Sequence, residues 1–587
     1  MSFIQVKRTR AQESRAAIER LYIVMKHLFI RGYYKPFGVS GNSIREALMI
    51  LSPEIYGSIT DTDKVELDGL LYVVERLPLG IEECRFIKLT SEEGYGNSSF
   101  EVIVPAKRRR NCYRIDEEQM FIEITRGRSE IYDLLTHLTF LYIEAEKIKN
   151  RALDEGGRKT REWTKMEKIV EGGVTIDNKN REVAFSYLSI ILGRTFQETE
   201  QMYERFEQNP SHNGLFHVTY WIGKLALEEA TEDKDRSISF TATLRERIGH
   251  HIYGDRWATQ IKEYLVDNNL IDRPLHVISS NLHSVLNSIY AFPAIKRMPG
   301  GWKSIEQTAL ELSKEKSTRL NEKIRSYAEA HGAKFLEDPS GTNISVQIID
   351  LSKVNLQQLS KELKIDKQYI KDQKPVILVM DYAFGEQAYE IMDELLRPVE
   401  QEDLSIPMPI RSISIMGKAG ILTGNKGDIM IADAHIFEGT ADNYPIDNKL
   451  KTEDFKECGL EVYQGPMITV LGTSLQNRDI LNYFKNSSWG CIGLEMEGAH
   501  FQKAIQAASK IRKNIEEDVE IRYAYYASDN PLISGSTLAS GSLGAVGVKP
   551  TYLITLKILE QILGNRGIGE QGTWEEGTRG ISSGQVR

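Results

Sequence analysis

A succession of short apolar runs, each stopping on a polar or glycine-bearing turn, constrains this chain more than any other feature. Val376–Met380 (VILVM) runs into Asp381-Tyr-Ala-Phe-Gly-Glu-Gln-Ala and then a helical period ending near Leu396. The pattern recurs at 274–279, at Ser412–Gly420 (SISIMGKAG), at Gly427–Ala434 (GDIMIADA), at the TVLGTS of 469–474, and at the ends LEMEGAH (494–500) and SDNPL (528–532). Unbroken apolar runs of this length suit strands covered on both faces, and strand–turn–helix units place their turn residues at the carboxyl edge of a sheet, where α/β proteins bind ligands. Asn281 and His283 fall in the first of those turns.

At 587 residues the chain is too long for one core. The polar segment Asp154–Lys165 reads as a boundary, giving 1–153 as mainly helical with some strand, 154–271 as helical, 272–564 as α/β and 565–587 as a disordered tail. In the first region Ser43 is expected to cap IREALMIL, Phe100–Val104 reads as a strand and Glu130–Ile148 as a long amphipathic helix. The run Lys107–Arg110 reads as a solvated face, and His212, His217, His250 and His251 as structural or surface histidines. Farther on, Gln357–Lys371 reads as a peripheral helix and Pro550–Leu563 as the final one.

Composition excludes several classes. A net charge of −9 argues against a nucleic-acid partner. No apolar run approaches the ~18 residues of a membrane span, and the first residues lack the apolar core of a secretory signal, so a cytoplasmic protein without a membrane partner is expected. Four scattered cysteines suggest neither a disulfide framework nor a zinc site. No metal or organic cofactor is expected.

Four motifs stand in a fixed order: Gly417-Lys418-Ala419-Gly420, Gly427-Asp428, Leu494-Glu495-Met496-Glu497 and Ser528-Asp529. From about Arg273 to Leu563 the chain thereby resembles the purine nucleoside phosphorylase and nucleosidase superfamily. Within it, Ser528-Asp-Asn-Pro-Leu532, Thr473–Leu481 and a large preceding region look most like AMP nucleosidase. The resemblance implies a three-layer α/β/α catalytic domain of nucleoside phosphorylase type after a mostly helical N-terminal half. It also implies a homo-oligomer, with a neighbour's contribution expected near His435–Tyr444.

Cleaving a ribosyl C–N bond to a purine builds positive charge on the sugar and negative charge on the base, so an acid to the base and an acceptor for the ribose hydroxyls are the groups required. Asp529, following the apolar run YAYYA and beside Ser528, suits the acid; Glu497 resembles the residue that takes the ribose hydroxyls, with Met496 against the sugar and Glu495 beside it. Tyr523–Tyr526 read as sheet core. Phosphorylases of the superfamily carry arginines where this chain has Ser414-Ile-Met416 and Ser280-Asn-Leu-His283, which favours water over orthophosphate as nucleophile. Lys418 is left to grip a phosphate, and either His283 or Glu386 to act on the water. The expected function is hydrolysis of a purine nucleotide or nucleoside. The alternatives are phosphorolysis and a non-catalytic nucleotide sensor. The glycine-rich 533–547 reads as a mobile loop closing over substrate.

Overall fold

The N-terminal half carries a sheet of its own. Its strands are β1 (Tyr33–Tyr34), β2 (Phe86–Thr90), β3 (Val102–Ile103), β4 (Cys112–Arg114), β5 (Gln119–Glu123) and β6 (Ser237–Phe240), in the order β1-β6-β2-β5-β4-β3. The structure, a computed structural model, describes residues 8–564 except 175, 177–179, 296–303, 315–317, 339, 402–403, 441, 457 and 534–543. Because β6 lies beyond residue 154 yet pairs with β1 and β2, regions 1–153 and 154–271 share one sheet and one core rather than forming separate units. The polar segment between them opens with a turn, in which Asp154 accepts the N–H groups of Gly156 and Arg158, and ends in helix Arg161–Glu171, whose Trp163 is buried.

Local chemistry accounts for two departures from expectation. Ser43 lies inside helix Val39–Leu51 and returns its hydroxyl to the Val39 carbonyl, so it caps nothing. Within Gln357–Lys371 the helix starts only at Lys367, after Asp366 has accepted the N–H groups of Gln368 and Tyr369.

The apolar runs of the C-terminal half become strands of one ten-stranded mixed sheet. These are β7 (Leu275–Ser279), β8 (Ala333–Leu336), β9 (Val346–Asp350), β10 (Val376–Met380), β13 (Ile410–Ile421), β14 (Ile429–Phe437), β15 (Asn443–Pro445), β16 (Val462–Thr469), β17 (Gly493–Glu495) and β18 (Glu520–Asp529); β11 (Val399–Gln401) and β12 (Leu404–Ile406) make a separate hairpin. All of β10 is buried, with Val376, Leu378 and Met380 in one core and Ile377 and Val379 in another. That is why VILVM has no polar face: each fully buried side chain contributes roughly 1.5–3 kcal/mol.

Five strands close into a ring. β13 pairs with β18, β18 with β14, β14 with β16, β16 with β17, and β17 returns to β13. Met430, Met467, Tyr523 and Tyr525 belong to the core it shares. Gly493 is a glycine because a Cβ there would stand 2.5 Å from the Met430 sulfur. On its far side the ring meets the N-terminal half: Ile436, Ile468, Val470 and Leu494 lie in one apolar cluster with residues of helices Arg10–Arg31 and Arg128–Ala152. Among the described residues, no helix is long and apolar enough to cross a membrane.

Candidate functional site

The closure of the ring decides what meets at its rim. Gly420 pairs with Leu494 of β17 and, on its other edge, with Asp529 of β18. Three of the four motifs therefore converge on one glycine. The chain leaves β17 at Glu495, turns through Met496 and Glu497, and enters helix Gly498–Gln506.

The two glutamates of that turn have different tasks. Glu495 is buried and fully engaged: it accepts the Thr469 hydroxyl at 2.5 Å and the backbone N–H groups of Glu497 and Gly498. It tethers the helix start, and burial followed by the charge of Glu497 pushes its carboxyl up to about 8. Glu497 is only partly buried and accepts the N–H of Gly385 at 2.9 Å. Burial holds its carboxyl up near 7, against that hydrogen bond and the charge of Arg126. Beneath the turn, His435 donates to or accepts from the Tyr525 hydroxyl at 2.9 Å and is kept neutral by burial, its value down to about 3. A Cβ on Gly498 would stand 2.3 Å from that imidazole, so only glycine starts this helix.

Asp529 ends β18, 7% exposed. The Ser528 hydroxyl donates to its Oδ1 at 2.5 Å and lies 3.1 Å from the Ala419 carbonyl. Its Oδ2 is shut away from solvent and has no partner among the described residues. Burial raises the carboxyl above the usual range, against the Ser528 hydrogen bond and the charges of Lys418 and Lys426. A buried carboxyl favours its protonated form more than an exposed one does.

Two residues back along β13, Lys418 pairs with Tyr526, and both line a cavity of about 990 Å³ with Asn281 and His283. Asn281 spends its side-chain oxygen on the Ser284 N–H, capping helix Leu282–Ala294, while His283 and Lys418 are exposed on the cavity wall. Tyr382 faces Gly417. Met496 is buried, its methyl group close to Gly385.

Glu386 stands apart from this group. Its carboxylate pairs with Arg128 at 3.0 Å and lines a second cavity of about 320 Å³ between the two halves of the molecule. The partner that turns it away lies 258 residues earlier in the chain. The turn Thr125–Ser129 supplies three contacts of this kind: Arg126 over the Phe384 ring, Arg128 on Glu386, and the Ser129 hydroxyl accepting the Glu386 N–H at 2.8 Å. Their only trace in the sequence is the polar TRGRS stretch between a strand and a helix. The segment where a neighbouring subunit was expected meets the chain's own first helix, since a Cβ on Gly439 would stand 3.4 Å from Ile18. Residues 534–543 of the expected closing loop, and the tail from 565, lie outside the described residues.

One reading of the N-terminal half changes. Arg108 and Arg110 are not a solvated face: both pair with Asp133, at 2.6 and 2.8 Å, and Arg110 is buried. His217 is a structural histidine held by Glu83 at 2.7 Å, and ligand atoms of Glu82, Glu83 and His217 lie within 4.8 Å of one another. Asn213 and Arg114 already hold those two carboxylates.

The chain belongs to a family of unknown function (DUF6909), whose model matches residues 43–298 and 307–564. No curated protein matches it in sequence. Among solved structures it is similar to a 5′-methylthioadenosine/S-adenosylhomocysteine nucleosidase of Campylobacter jejuni, at 12% identity and a TM-score of 0.29 over 49% of this chain and 98% of that one. It is also similar to futalosine hydrolase of Helicobacter pylori, at 10% identity and a TM-score of 0.30 over 50% and 98%. A third is a methylthioadenosine/S-adenosylhomocysteine nucleosidase of Colwellia psychrerythraea in complex with adenine, at 10% identity and a TM-score of 0.28 over 50% and 98%.

Proposed function

We propose that this protein hydrolyses the N-glycosidic bond of a purine nucleotide or nucleoside, in the manner of the AMP nucleosidases its motifs resemble. The observation that carries the reading is the rim itself. Gly420 pairs on one edge with Asp529, whose Oδ2 has no partner among the described residues, and on the other with Leu494, three residues before the partly buried Glu497. Glu497 accepts the ribose 2′- and 3′-hydroxyls, and Met496 packs on the sugar. Asp529 gives its proton to the departing base, relieving the charge that develops there as the C–N bond breaks. Water adds to the sugar carbon from the side of the larger cavity, where Asn281 and Lys418 lie with His283, which takes the proton the water gives up. Glu386 has no part in that step, being committed to Arg128.

The test is release of free base from AMP, adenosine and inosine, followed by chromatography for the wild type and Asp529→Asn. Loss of the acid lowers kcat by about 10²- to 10⁴-fold. A wild type that releases no base from any purine substrate, or an Asp529→Asn variant as fast as wild type, contradicts the assignment.

A further inference from the structure

The cavity between the two halves has the make-up of a ligand site, and the reaction proposed above takes place elsewhere. Its volume of about 320 Å³ lies at the lower end of the range for small-molecule sites, roughly 300–1,000 Å³. It shares no lining residue with the larger cavity. Aromatic rings from both halves line it: Tyr22 and Tyr132 meet edge to face with centroids 5.9 Å apart, as do Phe437 and His500 at 4.8 Å. Two buried polar atoms on its lining residues have no partner among the described residues, the Tyr132 hydroxyl and Oε1 of Glu438. Burial keeps the proton on Glu438, whose value is pushed up to about 8, so both groups have an O–H to give. Buried polar atoms without a partner are rare, because each forfeits its hydration for no return.

The charges of the lining are uneven. Glu386 is matched by Arg128 at 3.0 Å, and Asp442 accepts the Thr440 hydroxyl at 2.9 Å. Burial lowers both His251 and His500, the latter to about 3, so neither adds charge near neutral pH. Lys26 and Lys503 remain, both exposed and with no ion pair among the described residues. Their ammonium groups lie 5.9 and 5.2 Å from the centroids of the Tyr22 and Tyr389 rings. Three basic side chains thus meet two acids besides the protonated Glu438, and the groups left unclaimed, Lys26, Lys503, Tyr132 and Glu438, can all donate. The ligand that complements them is flat, negative and supplied with acceptor oxygens. A cation would need an ionised acid in the wall, which protonated Glu438 does not offer. We propose that this cavity binds a small aromatic carboxylate, its ring among Tyr22, Tyr132, Phe437 and His500 and its carboxylate toward Lys26 and Lys503.

Calorimetric titration of the full chain tests it with three probes of similar size: benzoate, neutral benzamide and cationic benzylamine. Benzoate is expected to bind about 10-fold or more tighter than either of the others. Two variants locate the binding. The double variant Lys26→Gln, Lys503→Gln alters only exposed side chains; it is expected to weaken benzoate about 10-fold and to leave benzamide unchanged. Tyr132→Phe keeps the ring and removes the hydroxyl, and is expected to weaken benzoate about 10-fold as well. Melting curves show whether each variant is folded, and if Tyr132→Phe is not, the lysine variant decides alone. A wild type that binds no benzoate, or binds benzamide or benzylamine as tightly, overturns the proposal and leaves the cavity to solvent. Benzoate binding that neither variant alters lies elsewhere on the protein and overturns it too.

Discussion

Glu497 and Glu438 are both carboxyl groups raised by burial, and they are built differently. Glu497 keeps an accessible face and a backbone donor, which suits a group that must exchange partners with a ligand. Glu438, at the end of β14, is 1% exposed, and its Oε1 has no partner among the described residues. Burial pushes it up to about 8, only weakly opposed by the Leu471 N–H and the charge of Arg15. A carboxyl raised in the fold binds its proton more tightly folded than unfolded. The stability this contributes is complete below about pH 4.5, its unfolded value, and is lost as pH rises through its folded value near 8. Glu438→Gln, which cannot ionise, should therefore melt close to wild type at pH 5 and several degrees above it at pH 9. Melting curves with the same offset at both pH values would show that Glu438 is ionised and partnered in the folded protein.

At the scale of elements, the loop Phe384–Glu386 docks the two halves on each other, with the Glu386 N–H on Ser129 and the Gly385 N–H on Glu497. Gly385 has a φ of +57°, and a Cβ there would stand 2.4 Å from the Ser129 hydroxyl. Gly385→Ala strains the backbone and pushes the loop from its dock, costing about 3 kcal/mol and moving the N–H that holds Glu497. Base release is expected to fall with it; a variant of normal activity and melting temperature would show that the loop does not position Glu497. The strand-end motifs were legible because each is contiguous: an apolar strand announces its own end, and Gly417–Gly420, Glu495–Glu497 and Ser528–Asp529 carry position and residue type together. The turn 125–129 was not legible, because it acquires meaning only by packing against residues some 260 positions later in the chain. The same blindness put Glu386 with the water-side residues. It also left Arg108 and Arg110 on the surface, since Asp133 is a partner that only the fold supplies. Gln357–Lys371 failed for a local reason, the capping Asp366 within a polar stretch.

Across the whole molecule, the N-terminal half is more than an appendage to the sheet that carries the rim. It has six strands of its own, shares an apolar core with the ring through Ile436, Ile468, Val470 and Leu494, and docks with Arg126, Arg128 and Ser129 on the loop Phe384–Glu386, whose Gly385 N–H holds Glu497. A ligand on Glu497 would be coupled through this loop to how the halves sit on each other. The most direct measurement is the identity of the sugar product when the purified protein acts on AMP and adenosine with and without added phosphate. The account predicts free adenine together with ribose 5-phosphate or ribose, at a rate independent of phosphate. Ribose 1-phosphate formed only when phosphate is present would contradict it.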